Sequence, residues 1–287
     1  MTSSKVTIAL VQAEAGDEID ANLENTRRLV AKAAKQGAKI VCLQELFSTR
    51  YFARVENKES LQLAEPVPGK TSAFLAGLAK EHRITLVGGS IFELGDDGNR
   101  YNTSLTFDPA GNVIAKYRKV HVPHDPNYWE KFYFTPGNLG YVHANVDNIT
   151  IAPLICYDQW FPEPARILAM RGVQLIFYPT AIGWFPEMQK LEPWTADRWE
   201  AAMRAHASMN AIYVAAVNRT GREGNLTFWG RSFVADPYGE VVARAPVSEE
   251  AVLVVTLDLD KIFHSQDGWL LMKNRRPDTY GPLVGKP

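Results

Sequence analysis

The chain has 287 residues, enough to bury a large core, and its 46% apolar and 22% charged residues are the ordinary balance of a globular protein. A formal net charge of −1 supplies neither the basic excess of a nucleic-acid surface nor the acidic excess of a solvating tail. Met1–Ala15 holds only the short apolar run Val6–Val11, no stretch nears the roughly 18 apolar residues that span a bilayer, and Cys42 and Cys156 do not form a secreted disulfide framework, so a cytoplasmic protein without membrane or nucleic-acid partners is expected.

In chain order, Lys5–Val11 has the composition of a strand, followed by a helix over Asp20–Gln36 with Asp20 as N-cap and Gly37 as its stop. Strands follow at Ala38–Leu43 and Ile84–Phe92, with a helix over Thr71–His82 between them. Ser104–Phe107 and Val113–Lys116 flank Asp108-Pro109-Ala110-Gly111-Asn112 as a hairpin, since proline presets φ and glycine accepts positive φ. The extended stretch from Val113 ends at Lys119, and the basic cluster Lys116–Lys119 is expected to be a solvated strand edge. Further strands are expected at Thr150–Tyr157, Val173–Tyr178, Ala211–Asn218 and Val252–Leu257, and helices at Glu163–Arg171 and Ala196–Asn210.

A second hairpin, Ser232–Ala235 and Val241–Arg244, surrounds Asp236-Pro237-Tyr238-Gly239-Glu240. Alternating strands and helices indicate a layered α/β domain, and one such hairpin in each half points to a pseudo-symmetric sandwich. With no Gly/Ser linker, residues 1–263 are expected to form a single domain. From His264 the chain leaves the pattern. The tail 264–287 is expected to wrap over something, with the apolar Trp269-Leu270-Leu271-Met272 in the interface of a homo-oligomer.

Three residues near strand ends could carry chemistry. Cys156 lies between a strand and a helix expected to start near Pro162, where a tight turn would aim backbone N–H groups inward to favour a thiolate and hold an oxyanion. A buried core cysteine is the competing reading, and it is assigned to Cys42, which is mid-strand. Glu45 ends the strand before it, sharing a face with Val41 and Leu43 by alternation, where a carboxylate is costly unless paired or employed. Lys119 alone would be a surface lysine. Together they fall where α/β folds place their sites. A carboxylate serves as base for a thiol and then for water, and an ammonium neutralises a tetrahedral intermediate.

Other constellations fare worse. There is no Gly-x-Ser-x-Gly elbow or phosphate loop, and Gly88-Gly89-Ser90 is no dinucleotide fingerprint. His121 and His124 beside Asp125 invite a metal, but Pro123 breaks a helical ligand pair and no further ligand completes the set. The aromatics Tyr128, Trp129, Phe132, Tyr133 and Phe134 suit core packing or a substrate pocket.

Leu43-Gln44-Glu45-Leu46-Phe47, Tyr117-Arg118-Lys119-Val120-His121-Val122-Pro123 and Ile155-Cys156-Tyr157-Asp158-Gln159-Trp160-Phe161-Pro162-Glu163 resemble, in order and spacing, the three signature blocks of the nitrilase superfamily. The resemblance runs from about Lys5 to Tyr280 and implies an αββα sandwich that assembles through back-to-back packing, with neither organic cofactor nor metal. It makes Glu45 the general base, Lys119 the electrostatic stabiliser and Cys156 the nucleophile, with the backbone N–H of Tyr157 as oxyanion donor. Glu130 matches a second glutamate that orients substrate and lysine; pairing with Lys131 is its alternative. Tyr51, Trp160 and Glu187 are expected to bind substrate.

Within the superfamily, Glu130–Gly137, Cys156–Glu163, Phe177–Gly183, Asn218–Gly221 and Arg275–Asp278 are most similar to N-carbamoylputrescine amidohydrolases. Cys-Tyr-Asp at the nucleophile differs from the Cys-Trp-Glu usual in true nitrilases, which disfavours nitrile hydrolysis. After Gly183, where that branch has an early acid, Trp184-Phe185-Pro186 precedes Glu187. Either the pocket is more apolar or Glu187 reaches in from a shifted loop. The expected activity is hydrolysis of a terminal N-carbamoyl or amide bond in a small molecule, N-carbamoylputrescine giving putrescine, ammonia and carbon dioxide. The alternatives are an aliphatic amidase or ω-amidase with the same triad, then a nitrilase, and last a non-catalytic binding protein on the same fold.

Overall fold

The structure is a computed structural model describing residues 4–285; residues 1–3, and 286–287 of the expected tail, lie outside the described residues. The chain first alternates β1 (Lys5–Gln12), α1 (Ile19–Lys35), β2 (Ile40–Leu43), α2 (Lys70–His82) and β3 (Thr85–Val87). It then runs through β4 (Ile91–Leu94), β5 (Arg100–Phe107) and β6 (Val113–Arg118). β1, β2 and β3 are parallel, and β5 pairs antiparallel with β3, β4 and β6.

The second part repeats this plan. β7 (Ala144–Val146) and β8 (Ile149–Pro153) lead through α3 (Pro162–Met170) to β9 (Leu175–Thr180). The short β10 (Gly183–Trp184), α4 (Pro186–Leu191) and α5 (Thr195–Asn210) precede β11 (Tyr213–Asn218). After the hairpin of β12 (Thr220–Glu223) and β13 (Leu226–Trp229) come β14 (Phe233–Ala235) and β15 (Val241–Arg244). β8, β9 and β11 are parallel, flanked by antiparallel β7 on one side and by β14 with β15 on the other. β16 (Ala251–Asp258) returns to pair antiparallel with β1 in the first sheet, and α6 (Asp260–Trp269) follows.

Both sheets thus place three parallel strands between an antiparallel edge strand and a hairpin. The two Asp-Pro hairpins, β5–β6 and β14–β15, occupy equivalent places, with Gly111 at φ 87° and Gly239 at φ 82° as their turn chemistry requires. This is the pseudo-symmetry expected from sequence.

Four layers follow from the strand alternation. Ala9, Val11, Val41 and Leu43 face α1 and α2 through Leu23, Leu29, Val30, Leu75 and Leu78. Their neighbours Ile8, Leu10, Ile40 and Cys42 face the other sheet's Ile151, Phe177, Ala215 and Val217. On that sheet, Ala152, Ile176, Tyr178 and Val214 face α3 and α5 through Ala165, Leu168, Trp199 and Met203. Strands covered on both sides read as unbroken apolar runs, and the result is an αββα sandwich. Cys42 sits between the sheets, a core residue as expected.

Several expectations need correction. Asp20 does not cap α1; it sits in the first turn and pairs with Lys70 at 2.6 Å, where a carboxylate favours the positive end of the helix dipole. Arg118 and Lys119 are buried, so the basic cluster is only in part a solvated edge. Ile84–Phe92 is two strands, because the chain turns at Gly88-Gly89-Ser90. Gly89 has φ 60°, and a Cβ there would lie 2.1 Å from the Gln44 carbonyl oxygen, while Ser90 Oγ accepts the Leu46 N–H at 3.0 Å. The break thus seats the turn that carries Glu45. β8 ends at Pro153 rather than Tyr157, leaving Cys156 to open a 3₁₀ turn over Cys156–Trp160. β7, β10 and the β12–β13 hairpin are too short for a periodic signal. α6 crosses the expected 263/264 boundary, so the tail starts inside a helix, and Trp269 at its end and Leu271 after it are exposed. No helix among the described residues is long and apolar enough to cross a membrane.

Gly89 and Gly98 both have positive φ, but nothing lies within 4 Å of a Cβ at Gly98. Gly98→Ala should therefore cost only the left-handed backbone penalty, about 1–2 kcal/mol. Gly89→Ala adds overpacking and should cost about 2–5 kcal/mol. Urea denaturation of both variants checks the difference, and equal losses would contradict the close approach of Gly89 to Gln44.

Candidate active site

Glu45, Lys119 and Cys156 each lie just past a strand end, and the fold brings them together. Glu45 sits in the turn after β2, ahead of Leu46 at φ 48°. Strand alternation therefore does not set its direction, contrary to expectation. Lys119 follows β6, where its N–H donates to the Asn102 carbonyl at 2.9 Å. Cys156 has φ 43°, a conformation that a residue with a β-carbon rarely adopts and that tertiary structure must impose.

The Lys119 ammonium donates to Glu45 Oε1 at 2.8 Å and to Glu130 Oε2 at 2.6 Å. Asn102 Nδ2 donates to the same Glu45 oxygen at 2.8 Å, and Tyr51 OH donates to Glu130 Oε1 at 2.6 Å. Glu45, Lys119 and Glu130 are at most 1% exposed, and Cys156 is 7% exposed. Glu130 is therefore committed to Lys119, while the neighbouring Lys131 is exposed. Glu45 Oε2 has no hydrogen-bond partner among the described residues.

Burial sets the charges of this group. It opposes the Lys119 charge, but the carboxylates of Glu130 and Glu45 outweigh it and hold the ammonium well above the usual lysine range. Burial also pushes Glu130 up to about 7, against the pull of the Lys119 charge. The Cys156 thiol is raised too, first by burial and then by the negative charge of Glu45. The turn thus holds a neutral thiol rather than the thiolate expected from inward N–H groups.

Asp158 fixes the cysteine turn to the lysine strand. Its side chain accepts from the Ile155 N–H (3.0 Å), Tyr117 OH (2.7 Å) and the His121 N–H (3.0 Å), and His121 Nδ1 lies 2.8 Å away. His121 also stacks on Phe161 at 3.8 Å. Its ring is committed to this network, and among the described residues no three His, Cys, Asp or Glu gather as metal ligands.

A cavity of about 720 Å³ opens onto Cys156 and Tyr157, with Trp160, Tyr128 and Phe185 among its walls. Asp125, Glu187 and Glu192 bring three carboxylates to it, and Arg198 brings a guanidinium. Of the residues expected to bind substrate, Trp160 and Glu187 line this space. Tyr51 does not: it is fully buried and its hydroxyl is held by Glu130. Trp184 packs on Trp229 at 4.9 Å instead of lining the cavity, and Glu187 reaches it from the first turn of α4. Tyr133 and Phe134 pack with Phe52 and Phe92 as core, whereas Tyr128 joins the cavity wall.

Sequence reasoning missed the contacts of Asn102 and Asp158 with this site. An asparagine just ahead of the expected hairpin strand Ser104–Phe107 and an aspartate two residues beyond the cysteine were the available signals. Each is a buried polar group that needs a partner.

Residues 7–263 match the family described as carbon-nitrogen hydrolase. The chain is 40% identical over 288 residues to an N-carbamoylputrescine amidase of Solanum lycopersicum, covering 97% of this chain and 95% of that protein. It is 35% identical to an omega-amidase of Homo sapiens, with 100% of both chains covered. A carbon-nitrogen hydrolase of Helicobacter pylori G27 has the same structure at a TM-score of 0.94 and 32% identity, covering 98% of this chain and 99% of that one.

The raised Glu130 carboxyl has a consequence for stability. Its native form binds a proton more tightly than the unfolded chain does, so its contribution is full below pH 4.5 and is lost as the pH rises through about 7. Between pH 5 and 7 the wild type should lose about 2 kcal/mol more than Glu130→Gln. Denaturant titrations at the two pH values test this. Equal losses would mean that Glu130 is ionised throughout.

Proposed function

Because the chain belongs to the carbon–nitrogen hydrolase family and is a hydrolase of non-peptide carbon–nitrogen bonds, we propose that it cleaves a terminal N-carbamoyl or amide group, with N-carbamoylputrescine as the best-matched substrate. The observation that carries the reading is the buried Glu45–Lys119–Glu130 chain beside a cysteine that opens onto the cavity.

Since the thiol is neutral at rest, attack needs a base at hand. Glu45 takes the thiol proton on Oε2, the oxygen that neither Lys119 nor Asn102 holds. The sulfur forms a bond to the carbonyl carbon, and the oxygen charge that develops is stabilised by the Lys119 ammonium and the Tyr157 N–H. Glu45 returns the proton to the leaving nitrogen as the C–N bond breaks. Water, deprotonated by Glu45, then attacks the thioester or thiocarbamate carbon, and as the C–S bond breaks Glu45 returns the proton to the Cys156 sulfur. Glu130 holds Lys119 from the other side and keeps its ammonium aimed at this centre.

Carboxylates of Asp125, Glu187 and Glu192 along the cavity favour a substrate whose far end is cationic, as putrescine's is. A second reading follows from Arg198, the guanidinium on the same wall over the Trp160 ring. It would suit an amide whose far end is a carboxylate, as an omega-amidase reading requires. In either case we take the protein as a cytoplasmic homo-oligomer with one hydrolase domain through residue 263, needing neither metal nor organic cofactor. The tail is assigned to the subunit interface because its exposed Trp269 and Leu271 are apolar.

Glu187 is exposed, which limits what its charge contributes. An exposed ion pair is worth about 0.2–1 kcal/mol, so Glu187→Gln should raise KM for N-carbamoylputrescine about 1.5- to fivefold. KM for a neutral amide of equal length should not move. Steady-state kinetics on both substrates checks this. Equal changes would remove Glu187 from specificity, and a wild-type preference for a carboxylate-bearing amide would favour the Arg198 reading.

A further inference from the structure

One ion pair buried behind the site takes no part in the chemistry above. Arg219 follows β11 and Glu223 ends β12; their side chains are 0% and 3% exposed, and Arg219 Nη1 donates to Glu223 Oε1 at 2.5 Å. Arg219 Nη2 points at the turn that carries Glu45. It donates to the carbonyls of Leu46 at 2.6 Å and Thr49 at 2.8 Å, with the Glu45 carbonyl at 3.4 Å. The other Glu223 oxygen, Oε2, accepts the Tyr51 N–H at 2.7 Å. Tyr51 in turn holds Glu130 through its hydroxyl. A single ion pair from the second half of the chain therefore grips the first half at two points, and each point leads to one of the carboxylates on Lys119.

Stability does not account for this pair. Taking two charges out of water is costly, and a well-packed apolar substitute often serves a fold as well or better. Arg219 Nε has no partner among the described residues, which adds to the cost. What the pair supplies is placement. Leu46 is held at φ 48°, which its surroundings must enforce, and the planar guanidinium fork restrains the carbonyls of its turn from one direction. Among the described residues the Leu46 carbonyl otherwise accepts only the Thr49 N–H of its own turn, at 3.2 Å, so Arg219 is what ties these carbonyls to the second half of the chain.

We propose that Arg219 and Glu223 are positioning residues for the hydrolysis: Arg219 sets the turn that aims Glu45 at Cys156, and Glu223 sets Tyr51, which aims Glu130 at Lys119. This inference rests on the triad reading above. Because the pair touches no substrate, its loss should degrade kcat while leaving binding in the cavity largely intact.

The test compares full-length Glu223→Gln, Arg219→Lys and Arg219→Met with wild type, using the amide that wild type turns over fastest. Folding is followed by circular dichroism and thermal melting, and kcat and KM by product release. Misplacing a catalytic group by about 1 Å costs on the order of a hundredfold. Glu223→Gln should therefore stay folded and lose about ten- to a hundredfold in kcat, with KM within about threefold. Arg219→Lys, which can still reach one carbonyl, should keep more kcat than Arg219→Met. If the Arg219 variants do not fold, Glu223→Gln decides alone. A folded Glu223→Gln with wild-type kcat overturns the proposal, as does a loss of activity that only tracks loss of folded protein. A wild type that hydrolyses no amide or carbamoyl compound would instead sink the functional reading, so the two failures are distinct.

Discussion

The interior of this protein is organised around one ammonium group. Lys119 is buried with two carboxylates, and an unpaired lysine there would lose its charge to the cost of desolvation. Glu45 and Glu130 remove that cost by contact, and the ammonium in turn keeps both carboxylates in place. The group is stable only as a set, so every element that supplies a member is constrained by the others. Glu45 comes from a turn after β2, Lys119 from the end of β6, Glu130 from a loop, and Tyr51 and Asn102 close the hydrogen bonds. The proposed reaction needs both halves of the sandwich, because Cys156 enters from the second sheet.

The proposed nucleophile carries a different constraint. Cys156 sits at positive φ in a 3₁₀ turn, and Asp158 ties this turn to Tyr117 and His121 on either side of Lys119. Strain at the cysteine is thus balanced by buried hydrogen bonds one turn away. Its thiol is neutral because burial and Glu45 both oppose the thiolate. In the proposed hydrolysis, reactivity then comes from proton transfer timed with attack. That in turn makes the direction of Glu45, rather than the acidity of the thiol, the quantity that the surrounding structure has to control.

Much of this was legible from sequence, for reasons that differ between residues. The layered fold follows from strand and helix alternation, and the two Asp-Pro-x-Gly hairpins reveal the repeated plan because proline and glycine dictate their turns locally. Glu45, Lys119 and Cys156 were recognisable as strand-end residues with compatible chemistry. The direction of Glu45 was not, since it depends on a turn at Leu46 and on Gly89 in the turn between β3 and β4. Tyr51 was expected at the substrate and is found behind Glu130, because only tertiary packing tells which side of a carboxylate a tyrosine occupies. Asp20 resembled a helix cap by type, but the helix begins at Ile19 with Glu18 in the cap position. The short β12–β13 hairpin, which carries Glu223, has too few residues to produce a periodic signal.

The central claim is that Cys156 forms a covalent intermediate under the control of Glu45 and Lys119. Rapid acid quench during turnover, followed by intact-protein and peptide mass spectrometry, tests it most directly. The account predicts a substrate-derived acyl or carbamoyl adduct on the peptide containing Cys156, forming before product and decaying with it, and none on Cys42. Turnover by Cys156→Ala at the wild-type rate, or an adduct confined to another residue, would contradict it.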